Sequence, residues 1–310
     1  MFQAIVSLIP IMLLIGLGAF LFKAAFITSE IRSGLDKFTY WVALPSLFIH
    51  ELSDTDFQAL QTGDMVLVLA LSVVVASLVA AVIGLVMRLS QDQIGVFVQV
   101  GFRGNMAFVG LPLIIFAMEA SGTSNDLVSS ALIALAALVP LNNLIAVLAL
   151  ILAKQGLSFS IFGNLVVKVI SNPLIICAIV GGLIGWFGAT LPAVIDRPFE
   201  LLGQTAIALA LVSLGGALIE LEIKGRIGLS VASSIFKVAA VPLIAYALTV
   251  VWNLPPDQTF VVMVFSACPS ATASYILTTQ LGGDDALAAA GIIISTLLSF
   301  ISLAVVLALF

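Results

Sequence analysis

Ten stretches of this chain are apolar for long enough to cross a bilayer, and this feature constrains the fold more than any other. They cover residues 2–22, 35–50, 65–87, 94–118, 127–152, 166–187, 199–219, 229–252, 259–282 and 286–310. A helix needs about 20 residues to cross the hydrocarbon core, so ten spans use about 200 of the 310 residues. What remains suffices for loops and ends, with no room for a sizeable soluble domain. Each run is expected to be helical. In hydrocarbon every backbone N–H and C=O must pair within the segment or within a closed barrel, and these runs lack the strict alternation of barrel strands. The expected fold class is therefore an all-α polytopic membrane protein, in line with a chain that is 62% hydrophobic and 9% charged.

The few charges carry more information than their number suggests. Sixteen acidic and 11 basic residues give a net charge of −5, and no Lys/Arg-rich run exists to track a phosphate backbone, so nucleic acid is not an expected partner. Cys177 and Cys268 lie inside apolar runs without metal-ligand spacing, and no metal or cofactor is expected. Lys23 follows the first apolar run and no basic residue precedes it, the reverse of a cleaved signal peptide, which predicts a retained first span. Lys and Arg gather in cytoplasmic loops. If the N-terminus is external, the inside loops and margins carry Lys23, Arg32, Lys37, Arg88, Lys154, Lys224 and Arg226, and the outside loops carry Arg197. Both termini are thus expected outside.

Ten spans divide into two sets of five, and because five is odd the second set must start on the opposite membrane face. That is an inverted repeat. The expected division is 1–153 and 166–310, joined by a short cytoplasmic link over 154–165. Gly16 and Gly181, and Gly104 and Pro269, are each 165 residues apart, which offers weak support.

Seven prolines fall inside the runs: Pro10, Pro45, Pro112, Pro140, Pro173, Pro242 and Pro269. A single intramembrane proline usually means a kink. Two runs carry more than that. The fourth combines Gly101, Arg103, Gly104, Asn105, Gly110 and Pro112 near its centre, and the ninth reads Ser266-Ala267-Cys268-Pro269-Ser270-Ala271-Thr272-Ala273-Ser274. Both are the fourth run of their half. Interrupted helices at matching positions of two halves point to a transporter's midplane site. Half-helices starting at Asn105 and Ser270 would aim two positive dipole ends at one another, an arrangement that suits an anion.

At these residues the sequence resembles the auxin efflux carrier family, in particular its bacterial members. The resemblance rests on Gly104-Asn105 followed by Gly110-Leu111-Pro112-Leu113, on Ser171-Asn172-Pro173-Leu174-Ile175, on Ser213-Leu214-Gly215-Gly216-Ala217 and on Ala267-Cys268-Pro269-Ser270-Ala271, in that order over nearly the whole chain. It implies ten helices in two inverted five-helix repeats, with broken fourth and ninth helices crossing at the substrate site. It also implies a scaffold of spans one, two, six and seven that commonly dimerises, and a moving transport unit made of the rest. The family's crossover asparagine maps to Asn105 and its second crossover proline to Pro269. Gly104 stands where plant members usually have proline, and the long cytoplasmic loop of many plant members is absent. A bacterial cytoplasmic-membrane location follows from the same resemblance.

The candidate substrate-binding residues are Arg103, Gly104, Asn105, Cys268, Pro269, Ser270 and Thr272, with Gly110, Pro112, Asn172 and Pro173 shaping the helix breaks. Arg103 lies near mid-depth and reads either as a structural pair to a carbonyl or carboxylate or as the counter-charge for a substrate carboxylate. Lys237 sits eight residues into its run, within snorkelling reach of the inner surface, and is expected to be structural. Asn142 and Asn143 are expected to bond neighbouring helices, with site lining as the alternative. His50, beside Glu51, Asp54 and Asp56, reads as a solvated histidine of an acidic loop.

A secondary transporter of a small organic anion explains the paired breaks and the repeat together. An intramembrane enzyme would need a nucleophile with its base or a metal dyad, and no HExxH, GxSxG or Walker-type run is present. A membrane sensor would need a signalling domain. The alternative within the carrier class is a sodium-coupled symporter of the bile-acid-carrier type, which would want carboxylates around the crossing. Spans four and nine have none except Glu119 at an outer end.

Overall fold

The computed structural model describes residues 2–55, 62–121, 126–154, 171–189, 191–225 and 227–310, with side chains described in these ranges except at 2–7, 120, 121 and 154. The expected link over 154–165, the start of the sixth run, Asp56 and Arg226 thus lie outside the described residues or side chains. The helices are α1 (Phe2–Lys23), α2 (Ser29–Phe38), α3 (Leu44–Ser53), α4 (Gly63–Val86), α5 (Gln91–Phe102), α6 (Leu111–Ser121) and α7 (Asp126–Lys154). They continue with α8 (Pro173–Trp186), α9 (Ala193–Glu220), α10 (Ile227–Ile235), α11 (Val241–Trp252), α12 (Pro256–Ala267), α13 (Ala273–Leu281) and α14 (Asp285–Leu309). No β-strand occurs among the described residues, only one isolated bridge. The all-helical class is as expected.

Among the described residues five helices are long and apolar enough to cross a membrane: α4, α7, α9, α14 and the joined α10–α11. Shorter apolar helices lie at Leu8–Lys23, Met106–Glu119 and Pro173–Trp186. The second run begins earlier than its apolar residues indicate. Its polar first part, α2, is capped by Thr28, whose side chain accepts from the Ile31 N–H at 3.3 Å.

Among the described residues three single π-helical turns interrupt the ladder, at Thr39–Ala43, Met106–Gly110 and Phe236–Ala240. Each ends one residue before an X-Pro pair: Leu44-Pro45, Leu111-Pro112 and Val241-Pro242. The cause is the proline ring, which clashes with the carbonyl of the preceding turn and gives no N–H. The chain loosens by one residue, and the N–H before each proline bonds five residues back: Leu44 to Thr39, Leu111 to Met106 and Val241 to Phe236. The Val238 carbonyl, orphaned by Pro242, accepts the Ser302 hydroxyl at 2.6 Å. Pro10 and Pro140, by contrast, sit within uninterrupted helices.

The helices pack in two groups. In one, α1 lies along α9, and α3 lies against α8 and α9. A Cβ on Gly18 would run into the Val212 carbonyl oxygen, and one on Gly215 into that of Ile15, so backbone touches backbone on both sides of this seam. In the other group α5 packs on α4 and α7, α10 on α14, and α11 on α4 and α12. Gly16 and Gly181, matched in the sequence at 165 residues apart, have different surroundings: nothing lies within 4 Å of a Cβ on Gly16, whereas Gly181 faces the Phe48 carbonyl oxygen at 2.9 Å. Large apolar side chains such as Leu13, Phe20, Leu78, Leu243 and Val251 point outward and exposed, as lipid contact requires.

Candidate functional site

Two breaks meet in the interior. α5 ends at Phe102 and Arg103 turns extended (φ −76°, ψ 98°), while α12 ends at Ala267 and Cys268 does the same (φ −56°, ψ 148°). Gly104 and Ser270 then form an antiparallel bridge. The Asn105 N–H donates to the Pro269 carbonyl at 2.8 Å, and the Ala271 N–H donates to the Arg103 carbonyl at 2.9 Å. Arg103 and Pro269, and Asn105 and Ala271, are each 166 residues apart, so exchanging the two segments at that offset maps one bond onto the other. The local register therefore differs by one from the 165 that matches Gly104 to Pro269.

Small residues permit the crossing. A Cβ on Gly110 would lie 2.7 Å from Phe265 Cδ1 and 2.8 Å from Cys268 Sγ. Pro269 has no N–H to satisfy and contributes only its carbonyl. The half-helices that leave the crossing start slightly later than the sequence implies. One begins with the π turn at Met106, after Asn105, and the other begins at Ala273, after Thr272.

Helix ends at the break need partners for their last carbonyls. The Ser270 hydroxyl donates to the Val100 carbonyl at 2.6 Å, and the Ser270 N–H donates to Ser295 Oγ at 3.0 Å. On the other helix, Lys237 Nζ donates to the Ser266 carbonyl at 2.5 Å and Cys268 Sγ donates to that of Val264 at 3.2 Å. Gln99 ties α5 to α13 by donating to Thr278 Oγ1 at 2.5 Å and to the Ser274 carbonyl at 3.1 Å.

Beside the crossing lies a cavity of about 290 Å³. Arg103, Gly104, Asn105, Asn142, Asn143 and Thr272 line it, together with Tyr40, Asp36 and apolar side chains including Met106, Phe108, Val139 and Ile276. A second cavity of about 250 Å³ shares Arg103, Asn143, Ala273 and Ile276 and extends along α7 and α13 to Val147 and Gln280. Arg103 is 8% exposed. Its Nη2 donates to Asn143 Oδ1 at 2.5 Å, and its Nη1 makes a long 3.5 Å contact with Ser274 Oγ. Among the described residues no carboxylate oxygen lies within 4.0 Å of it. Asp36, on the same cavity wall, is held by Arg32 at 2.8 Å and by the Ser213 hydroxyl at 2.5 Å, and Glu200 pairs with Arg197 at 2.6 Å. Asn105 Nδ2 and Asn142 Oδ1 are buried beside the cavity without a hydrogen-bond partner among the described residues.

Four of the seven candidate binding residues, Arg103, Gly104, Asn105 and Thr272, thus share the cavity. Cys268, Pro269 and Ser270 lie behind it, fully or nearly fully buried, with the Ser270 hydroxyl committed to α5. Gly110 and Pro112 shape the π turn, and Asn172 caps α8 by accepting from the Leu174 N–H at 2.9 Å, with Pro173 at the first helical position. Asn143 both bonds a neighbouring segment, by accepting from Arg103 at the end of α5, and lines the two cavities. Two expectations need correction. Lys237 does not snorkel; it is 1% exposed and turned inward to Ser266. His50 is not a free surface histidine, because its Nδ1 lies 2.7 Å from Asp196 Oδ1 and ties α3 to α9. Tyr40, Gln99 and Ser274 escaped the sequence reading, their polar types being common in membrane helices and their facing being set by the crossing.

Comparison with known proteins adds an independent line of identification. The chain is 24% identical over 311 aligned positions to an uncharacterized transporter of Methanocaldococcus jannaschii, covering 97% of this chain and 96% of that one. The family model described as "Membrane transport protein" matches residues 3–307. With broken helices that cross beside a cavity lined in part by polar side chains, and a match from end to end, the chain belongs to this family of integral membrane transporters, the one that contains the auxin efflux carriers.

Proposed function

We propose that the protein is a secondary transporter of a small organic anion, a carboxylate, which it binds at the crossing and moves by alternating access. The observation that carries this reading is Arg103: a guanidinium 8% exposed at the cavity wall, with amide and hydroxyl partners but no carboxylate among the described residues. A charge at such depth costs about 2.5 to 3.5 kcal/mol on insertion scales, and an anionic ligand offsets that cost. Asn105 adds an unpaired buried donor on the same wall. The segments following Asn105 and Thr272 begin helices there, which adds the positive ends of two helix dipoles.

The ten apolar runs then form two inverted five-helix repeats, 1–153 and 166–310. Spans one, two, six and seven are the scaffold and its dimer interface, and the helices packed around α5 and α12 are the moving unit. With both termini external, Asp36 and Gln280 stand at the cytoplasmic ends of their runs, so the two adjoining cavities face the cytoplasm on this reading, and the bacterial cytoplasmic membrane is the proposed location. Uptake of mono- and dicarboxylates into vesicles containing the purified protein tests the reading. Saturable uptake that Arg103→Gln abolishes while leaving the protein folded supports it. Transport confined to amines or neutral sugars contradicts it.

A further inference from the structure

The crossing holds a second buried cation, which the anion site does not account for. Lys237 stands in the π turn Phe236–Ala240, is 1% exposed, and donates from Nζ to the Ser266 carbonyl at 2.5 Å. Its Nζ and Cε also lie 3.5 Å from where a Cβ on Gly104 would be, so the ammonium sits against the crossing itself. Among the described residues no carboxylate lies within 4.0 Å of it. What it does face is the carbonyl end of α12, which stops at Ala267 in the protein interior. The last carbonyls of a helix have no intrahelical donor, and that end carries about half a negative charge. In carriers with discontinuous helices such ends are where coupling cations are coordinated.

The geometry points to Lys237 as a built-in cation for the carbonyl end of α12, taking the place an alkali ion would otherwise fill, so that the crossing forms without sodium or potassium. Its position follows from the sequence. Pro242 forces the π turn, and the turn carries the lysine. The inference concerns the crossing rather than the cargo, and its test needs no substrate. Removal of the side chain to the β-carbon would leave the Ser266 carbonyl unpaired in a space as large as the lost stem, open to a dehydrated alkali ion.

Melting curves of the purified protein in choline chloride, sodium chloride and potassium chloride at equal ionic strength decide the matter. The wild type is expected to melt within about 1 °C in all three salts. Lys237→Ala is expected to melt lower in choline and to recover, saturably, by about 2 °C at tenfold excess of sodium or potassium over its Kd. Lys237→Arg should remain indifferent to the salt. If the alanine variant is too unstable in choline, purification in sodium chloride followed by dialysis reads the same dependence. A wild type that sodium stabilises by several degrees overturns the inference on its own, and so does a folded Lys237→Ala that no alkali ion stabilises. Neither result bears on carboxylate binding, so the failure of this inference and the failure of the proposed function are separable.

Discussion

The backbone N–H of Asn105 donates to the carbonyl of Pro269 at 2.8 Å, joining residues 164 positions apart in sequence at the point where two helices stop. That N–H is used by the backbone, while the Asn105 side chain faces the cavity, where its Nδ2 has no partner among the described residues. An unpaired buried donor weakens the empty protein and rewards a ligand that can accept.

Asn105→Ala therefore separates binding from folding. A donor–acceptor pair lost on binding is worth about 1 to 3 kcal/mol, or about 5- to 150-fold in Kd for a carboxylate ligand. The melting temperature of the empty variant should be no lower than that of the wild type, because no protein partner is lost. Titration of both proteins with the same ligand checks this, and unchanged affinity removes Asn105 from the site.

Ser270→Ala should behave in the opposite way. Its hydroxyl caps the Val100 carbonyl at 2.6 Å and does not line the cavity, so its loss strands a buried acceptor and costs about 1 to 3 kcal/mol of stability. Ligand affinity of the folded variant should stay within about twofold, or about 0.4 kcal/mol, since Ser270 does not line the cavity. Parallel melting and binding curves distinguish a cap from a contact.

Gly110→Ala tests the closeness of the crossing. The new methyl would meet Phe265 and Cys268 at under 3 Å, and both are buried too deeply to move aside freely. Overpacking of this kind costs about 1 to 3 kcal/mol, read as a lower melting temperature. Gly16→Ala, with nothing within 4 Å, should stay within about 0.5 kcal/mol of the wild type. A Cys268→Ala background should restore part of the Gly110→Ala loss, and a lack of any coupling would contradict the contact.

The orientation is checked by labelling. With external termini, a cysteine placed at Asp257 should react with an impermeant reagent from outside and one at Gln155 should not, in a background where Cys177 and Cys268 are replaced. The reverse pattern would invert the topology.

Much of the site was legible in the chain because helix breaking is a local property. Gly104, Pro112 and Pro269 announce the interruptions wherever the surrounding helices go, and apolar length announces the long helices α4, α7, α9 and α14. Facing is different. Ser270 and Asn105 both stand at a break and read alike in sequence, yet the crossing turns one hydroxyl onto α5 and leaves one amide in the cavity. Lys237 misleads for a related reason: its distance from the end of its run suggests snorkelling, but the π turn before Pro242 and the carbonyl end of α12 draw it inward. His50 meets Asp196 through the packing of α3 on α9, 146 residues away, which no local pattern encodes.

The central claim is that a positively charged crossing carries an anion, and the direct measurement is uptake of a labelled carboxylate into reconstituted vesicles under an imposed potassium diffusion potential. Net movement of negative charge predicts faster uptake when the vesicle interior is made positive and slower uptake when it is made negative, with Arg103→Gln inactive under both conditions. Uptake that responds in the opposite sense, or that persists undiminished in Arg103→Gln, would contradict it.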